Sequence, residues 1–352
     1  MKYVLWIGLV FVLLLRLLAF KQPYLDGQKI RIRSFVSSEP IKYSDSQLIR
    51  LYELKIYLPL YPEINYGDYI EVEGVVNENE LKDPVVREIR ETRGLLYNVR
   101  EKLLESIKIA LPEPHASLVA GVTLGIKSGI PQDFSDILKK TGTAHVVVAS
   151  GMNVTLVAGF LVNALTLVFS RKKAIPLAVF GIWVYALISG FDAPIIRAAI
   201  MGSFAFIAQR VGRVVFAWKG LIFSALIMLI INPGWIRDIG FILSFTATAS
   251  ILYFEPKIRK RISFLPKIIR ENFSTSLSAQ IAVSPIIYLT FGQFNIFSPL
   301  INTLIAPVIA PMTIIAGMGS LVSIIIPGFG KLIILLVYPL TSYFIWVVKL
   351  FT

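Results

Sequence analysis

The sequence predicts a polytopic α-helical membrane protein that carries a small all-β, OB-like domain near its N-terminus. Three observations point there. Of 352 residues 55% are hydrophobic and only 16% charged, at a mean hydropathy of +0.71, whereas a soluble domain carries about 25% charged residues. The apolar residues come in runs near the ~20-residue length that crosses a bilayer. The charge is also split along the chain. Residues 1–113 hold 16 basic and 16 acidic residues, and residues 114–352 hold 19 basic against 6 acidic, so the whole net charge of +13 sits in the apolar part. This composition excludes a soluble enzyme. With no cysteine there are no disulfides, thiolate metal sites or cysteine nucleophiles, and two histidines, His115 and His145, are too few for a histidine-rich metal centre. No cofactor is expected.

The first element is an apolar run over residues 3–20 behind Lys2. Ala19-Phe20-Lys21-Gln22-Pro23 is a poor cleavage site, so residues 1–21 read as a retained signal-anchor helix, with cleavage as the alternative. Arg16 stands near the far end, where its stem reaches the interface. Residues 22–93 change texture. KIRIRSFV, LIRLYELKIYL and DYIEVEGVV are rich in β-branched and aromatic residues and are broken by Ser-Ser-Glu-Pro and Asn-Tyr-Gly-Asp turns. About five short strands fit there, the size of a small closed barrel such as an OB-fold. Such a barrel can bind single strands or act as a spacer, and its neutral charge weakens the first use.

Residues 94–144 read as amphipathic or interfacial helices: a charged-on-one-side helix over 95–111, a re-entrant or surface-lying apolar segment over 115–130, and a short amphipathic helix over 133–143 ending at Gly142. Residues 145–352 form the transmembrane domain, with spans expected at 145–169, 174–190, 194–209, 214–231, 238–254, 273–291, 298–325 and 331–350. The seventh is expected to be broken by Pro307 and Pro311. With the β-domain outside, the turns near 170–173, 210–219, 255–272 and 326–331 face inward and gather 13 of the 19 basic residues after 113, against only Glu255 and Glu271. Basic residues concentrate in cytoplasmic loops. A multi-pass protein of the cytoplasmic membrane with an extracytoplasmic β-domain is therefore expected.

Polar groups inside the spans mark the candidate site. TGTAHVVVASGMNVTLVAGF, 141–160, puts His145 at the mouth of a span and Ser150, Gly151 and Asn153 inside it. Asp192 and Arg197 stand at the start of the next such segment, and Asp238 precedes a span containing Ser244, Thr246, Thr248 and Ser250. Ionisable groups at this depth are costly in lipid and mark function by default; the alternative is a set of interfacial caps and small packing residues. His145, Ser150, Asn153, Arg197, Asp238 and Ser244 are expected to converge on one polar cavity in the outer half of the membrane. A serine hydrolase is a poor fit, because His145 and Ser150 lie about 140° apart on a helix.

These three segments, in this order, resemble the ComEC family of competence membrane proteins. Thr141, Gly142, His145, Ser150 and Gly151 match the first motif; Arg197, Ala198 and Met201 the second; Pro233, Asp238, Gly240, Phe241, Leu243, Ser244 and Phe245 the third. Asn232 stands where the family usually has aspartate, and Asn153 where it has histidine. The resemblance covers about residues 115–325, and the β-domain is similar to the family's external OB-type domain. It implies a channel component that carries single-stranded DNA across the cytoplasmic membrane. Longer members add a metallo-β-lactamase-like nuclease domain with a His-x-His-x-Asp-His motif, which these 352 residues lack. The implied role is therefore not enzymatic. No Gly-x4-Gly-Lys-Ser/Thr segment is present either. Single-stranded DNA and membrane lipid are the implied partners, together with a DNA receptor, a separate nuclease, a cytoplasmic ATPase or helicase, and further copies of the chain. A small-molecule transporter or a polytopic scaffold of the same fold is the competing reading.

Overall fold

The computed structural model describes the chain apart from residues 1, 20–23, 37–39, 43–44, 53, 78, 91–93, 127, 148–150, 213–215 and 293. Among the described residues the β-rich stretch forms β1 (Lys29–Phe35), β2 (Ile41–Lys42), β3 (Ser46–Leu51), β4 (Leu54–Pro59), β5 (Tyr69–Asn77) and β6 (Glu80–Arg90). They make one sheet in the order β1-β5-β6-β4-β3-β2, antiparallel except where β4 meets β6. β1 and β2 are consecutive yet occupy opposite edges. Six steps of chain reach at most about 21 Å, whereas the edges of a flat six-stranded sheet lie about 24 Å apart. The sheet must curl. The domain is thus a small, curled, all-β sheet of six strands among the described residues. Ile32, Ile49, Leu51, Ile56, Ile70 and Val72 fill its interior.

The outer face of β1 and β5 carries a charge ladder. Arg31 and Arg33 both pair with Glu71, the latter at 2.9 Å, and Glu73 lies between Lys29 at 3.1 Å and Arg87 at 2.9 Å. Desolvation opposes the charge on Glu71, but the two arginines outweigh it and hold its carboxyl below the ordinary value of 4.5. Hydrogen bonds from Lys29 and Arg87 hold Glu73 below the same value. Such groups stabilise the fold above their unfolded pKa, and the contribution is lost as pH falls through the folded one. Thermal unfolding of the full chain should therefore shift to lower temperature as pH drops below about 4.5. Glu71→Gln should shrink that dependence; an identical pH profile in the variant would show that the ladder contributes nothing.

The helical part begins with α1 (Lys2–Ala19), and continues after the barrel with α2 (Leu95–Ala110), α3 (His115–Leu124), α4 (Gln132–Lys140), α5 (Ala144–Val147), α6 (Gly151–Val168), α7 (Arg171–Ile188), α8 (Ala193–Arg210), α9 (Ala217–Ile231), α10 (Ile239–Arg261), α11 (Lys267–Phe291), α12 (Ser298–Ile325), α13 (Pro327–Leu335) and α14 (Tyr338–Leu350). Every expected span contains helix among the described residues, and the eighth, 331–350, is divided between α13 and α14 by a turn at Leu336 and Val337. Among the described residues four segments, Ala144–Val168, Ile239–Arg261, Ser298–Ile325 and Pro327–Leu350, are long and apolar enough to cross a membrane. This is a helical membrane protein with an all-β N-terminal domain. Eight spans were expected. α7 and α8, at 18 residues each, and α9, at 15, are shorter than the ~20-residue crossing length, while α11 has the length but includes Lys267, Arg270 and Glu271.

Two local expectations are corrected. α3 is not surface-lying: every residue from Ala116 to Leu124 is buried, in a core shared with α2, α12 and α14. An apolar helix without a polar face packs on all sides rather than at an interface. α12 is not broken: it runs without interruption through Pro307 and Pro311. Ile301, Ile305, Ile309, Met312 and Ala316 are all fully buried along it, so packing outweighs the single helical bond that each proline removes.

The barrel docks on one end of the bundle. Gln47 is buried and pins the loop after β4 by donating to the carbonyls of Pro59 and Pro62, both at 2.7 Å, and accepting from Ile64 N–H. Further along that loop Tyr66 donates to the Leu187 carbonyl at the end of α7 at 3.3 Å, and Arg100 of α2 lies 4.8 Å above its ring. Arg50 of β3 pairs with Asp238, at the start of α10, at 3.2 Å. On α1, Arg16 Nε donates to the Ile230 carbonyl at the end of α9, where the helix dipole favours a cation.

Candidate anion site at Arg197

Pro194 in the first turn pre-sets the start of α8, and Asp192 is its N-cap residue, although the Asp192 side chain makes no capping bond to the helix. Arg197 follows one turn later and points across the bundle. Its Nη1 donates to the Ser244 carbonyl at 2.5 Å and to Thr248 Oγ1, both on α10, and its guanidinium lies 5.9 Å from the Phe245 ring. Its other terminal nitrogen lies against α6, where a Cβ on Gly151 would come within 2.6 Å of it. Gly151 is thus the gap that admits the guanidinium. Nε of Arg197 is buried and has no hydrogen-bond partner, and no carboxylate pairs with the side chain among the described residues. A buried cation without a counter-anion is costly, and such groups in membrane segments mark ion or substrate pathways. The arrangement presents unused N–H hydrogen-bonding capacity and an uncompensated positive charge.

The other candidate residues are distributed as follows. Asp238 caps α10, accepting from Phe241 N–H at 2.7 Å with one carboxylate oxygen and pairing with Arg50 through the other. Gly240 leaves room for that carboxylate, since a Cβ there would stand 3.0 Å from Asp238 Oδ1. Phe241 packs against Phe245 with the rings tilted at 35° and centroids 4.3 Å apart, and so backs the ring that lies under Arg197. Ser244 acts through its carbonyl. Asn153 is fully buried but faces α3, donating to the Val122 carbonyl at 2.7 Å. His145 is exposed on α5, and no hydrogen bond joins it to Arg197 among the described residues. Ser150 lies outside the described residues. Arg197, Gly151 and Ser244 therefore come together, Asp238 stands at the start of the same helix, and His145 and Asn153 stand apart.

The Thr-Gly motif has a structural role. Thr141 and Thr143 are fully buried and share a 2.9 Å hydrogen bond. Gly142 between them takes φ +71°, and a Cβ on it would lie 2.9 Å from Ser298 Oγ. Only glycine meets both demands. Ser250 of α10 and Ser278 of α11 pack between their helices, the Ser250 hydroxyl donating to the Ser278 carbonyl at 2.5 Å. Two side chains that meet the site were not among the residues expected to converge on it, although Thr248 was noted in the same span. Thr248 was legible, because it lies four residues after Ser244 on the same face of α10. Arg50 was not: 188 residues separate it from Asp238.

A bundle of apolar helices with a small all-β domain at one end is the architecture of a helical membrane protein. The competence protein family matches residues 122–352, and the chain belongs to that family. It is 25% identical over 213 residues to ComE operon protein 3 of Bacillus subtilis (strain 168), covering 60% of this chain and 27% of that protein. It is 23% identical over 236 residues to the uncharacterized protein YcaI of Escherichia coli (strain K12), covering 62% of this chain and 30% of that one. The chain thus spans less than a third of the length of these curated relatives. No solved structure matches it.

Proposed function

We propose that this chain is a channel component that carries single-stranded DNA across the cytoplasmic membrane during DNA uptake, and that it acts as a transport component rather than an enzyme. The observation that carries the reading is Arg197, half-buried where α6, α8 and α10 meet, with its Nε buried and no counter-anion among the described residues. A strand crossing a bilayer brings one phosphate per nucleotide, each of which can supply the missing charge in passing. A single unpaired cation suits a moving polyanion, since a dense cluster of cations would hold it too tightly to release. Membership of the competence protein family supports the same role.

The β-domain lies on the outer side in this reading. Its contacts are with the end of α7 and the start of α10, and the basic turns after α6, α8 and α10 lie at the other ends of those helices. A DNA receptor outside, a separate nuclease and a cytoplasmic ATPase or helicase are the partners it needs. Val85 is half exposed on β6 and the chain has no cysteine, so Val85→Cys gives a single label site. It should react with an impermeant maleimide in intact cells; reaction only after lysis would reverse the orientation. Deleting the gene should abolish transformation, and the wild-type chain should restore it. Unchanged transformation together with altered solute uptake would favour the small-molecule transporter.

A further inference from the structure

We propose that the turn joining α10 to α11 is an anionic-lipid anchor. Its cations bind phosphate headgroups of the leaflet remote from the β-domain, and its exposed apolar side chains sit in that leaflet's interface. The position follows from length. α10 starts beside the barrel, at the Arg50–Asp238 pair, and runs for 23 residues. At 1.5 Å per residue that is about 35 Å, longer than the ~30 Å hydrocarbon core, so its far end emerges among the opposite headgroups.

The charge is concentrated and largely unpaired. Lys257, Arg259, Lys260, Arg261 and Lys267 are exposed; Glu255 is taken by Arg259 at 3.2 Å, and Lys260, Arg261 and Lys267 have no ion-pair partner among the described residues. A helix C-terminus favours cations in any protein, but that does not account for what lies beside them. Phe264, Ile268 and Ile269 are 80%, 65% and 46% exposed in or next to this turn. Lys257 also lies 3.4 Å from the Tyr253 ring centroid, with the aromatic one turn nearer the membrane. Cations interleaved with large apolar side chains at headgroup depth are the signature of an interfacial, anionic-lipid-binding segment. The pairing recurs at the neighbouring turns on the same side, with Phe169 beside Arg171, Lys172 and Lys173, and Lys219 over Phe216 at 5.1 Å. An acidic soluble partner would match the cations and leave the apolar groups unexplained.

Ser263 is exposed at the tip, and Ser263→Cys would carry the only thiol. With an environment-sensitive fluorophore there, the full chain goes into nanodiscs of phosphatidylcholine with or without phosphatidylglycerol. Blue-shifted emission and protection from aqueous iodide are expected only when phosphatidylglycerol is present. Replacing Lys257, Lys260, Arg261 and Lys267 by Gln should abolish both changes while leaving the melting temperature in detergent unaltered. Aqueous emission in both lipid compositions would overturn the proposal, as would an undiminished shift in the Gln variant. A label that stays aqueous in both discs and is shielded only by added cytoplasmic extract would also overturn it, and would assign the tip to a protein partner.

Discussion

Arg197→Ala should reduce entry of single-stranded DNA by about 10- to 100-fold, the loss of one or two charge-assisted bonds to a passing phosphate. Membrane abundance should be unchanged. The sign of the stability effect separates this reading from a structural one. In the resting protein the half-buried guanidinium has no anion among the described residues, so its removal relieves a desolvation cost. The alanine variant should melt at the wild-type temperature or above it. If the arginine is structural, the loss of its bonds to Ser244 and Thr248 should outweigh that relief and lower the melting temperature. Arg197→Lys should fall between, since an ammonium keeps the charge but loses the second terminal nitrogen that lies against Gly151. Transformation efficiency and detergent melting curves on the three forms check all of this.

Gly151→Ala should impair uptake nearly as much, although it removes no polar group. The added Cβ would lie 2.6 Å from the Arg197 terminal nitrogen and 3.3 Å from Ala198 Cβ, so the guanidinium must leave its seat. Overpacking of this kind costs about 1–3 kcal/mol, and here much of it should be read as lost transport. The double variant is diagnostic. If Gly151 acts only by admitting Arg197, then Gly151→Ala should add little once Arg197 is alanine, a strongly non-additive pair. Additive losses would mean that the glycine serves helix packing in its own right.

What could be read beforehand follows from where the physical signal lies. The β-domain was legible because strands half-buried on a curved sheet alternate with period two, as in β4, where buried Leu54, Ile56 and Leu58 alternate with the more exposed Lys55, Tyr57 and Pro59. Strand count and strand order were not equally visible: β2 is two residues long and becomes a strand only by pairing with β3. The buried fate of α3 could not be read, since a uniformly apolar ten-residue helix has no periodicity to say which face is covered. Prolines in α12 signalled a break, and the buried residues flanking them overrode it. At the site, the depth of Arg197 in an apolar run was the informative signal, because the cost of a buried charge can be read from sequence alone. Its neighbours needed the tertiary structure. Asp192 and Arg197 are close in sequence, yet Arg197 bonds across to α10. Asn153 and Gly151 are two residues apart on α6, which puts them on opposite faces, one toward α3 and one toward Arg197.

The most direct measurement is a covalent one at the site itself. Phe245 lies 5.9 Å from the Arg197 guanidinium, and p-benzoyl-phenylalanine in its place keeps an aromatic ring there. Phe180 on α7 is 70% exposed and supplies the matched lipid-facing position. Cells taking up labelled DNA are irradiated and the purified chain is examined for attached strand. The expected result is a single-stranded DNA adduct at position 245 that depends on Arg197, and none at position 180. Transformation that proceeds normally in the position-245 variant with no adduct there, or with equal adducts at both positions, would contradict a strand path past Arg197.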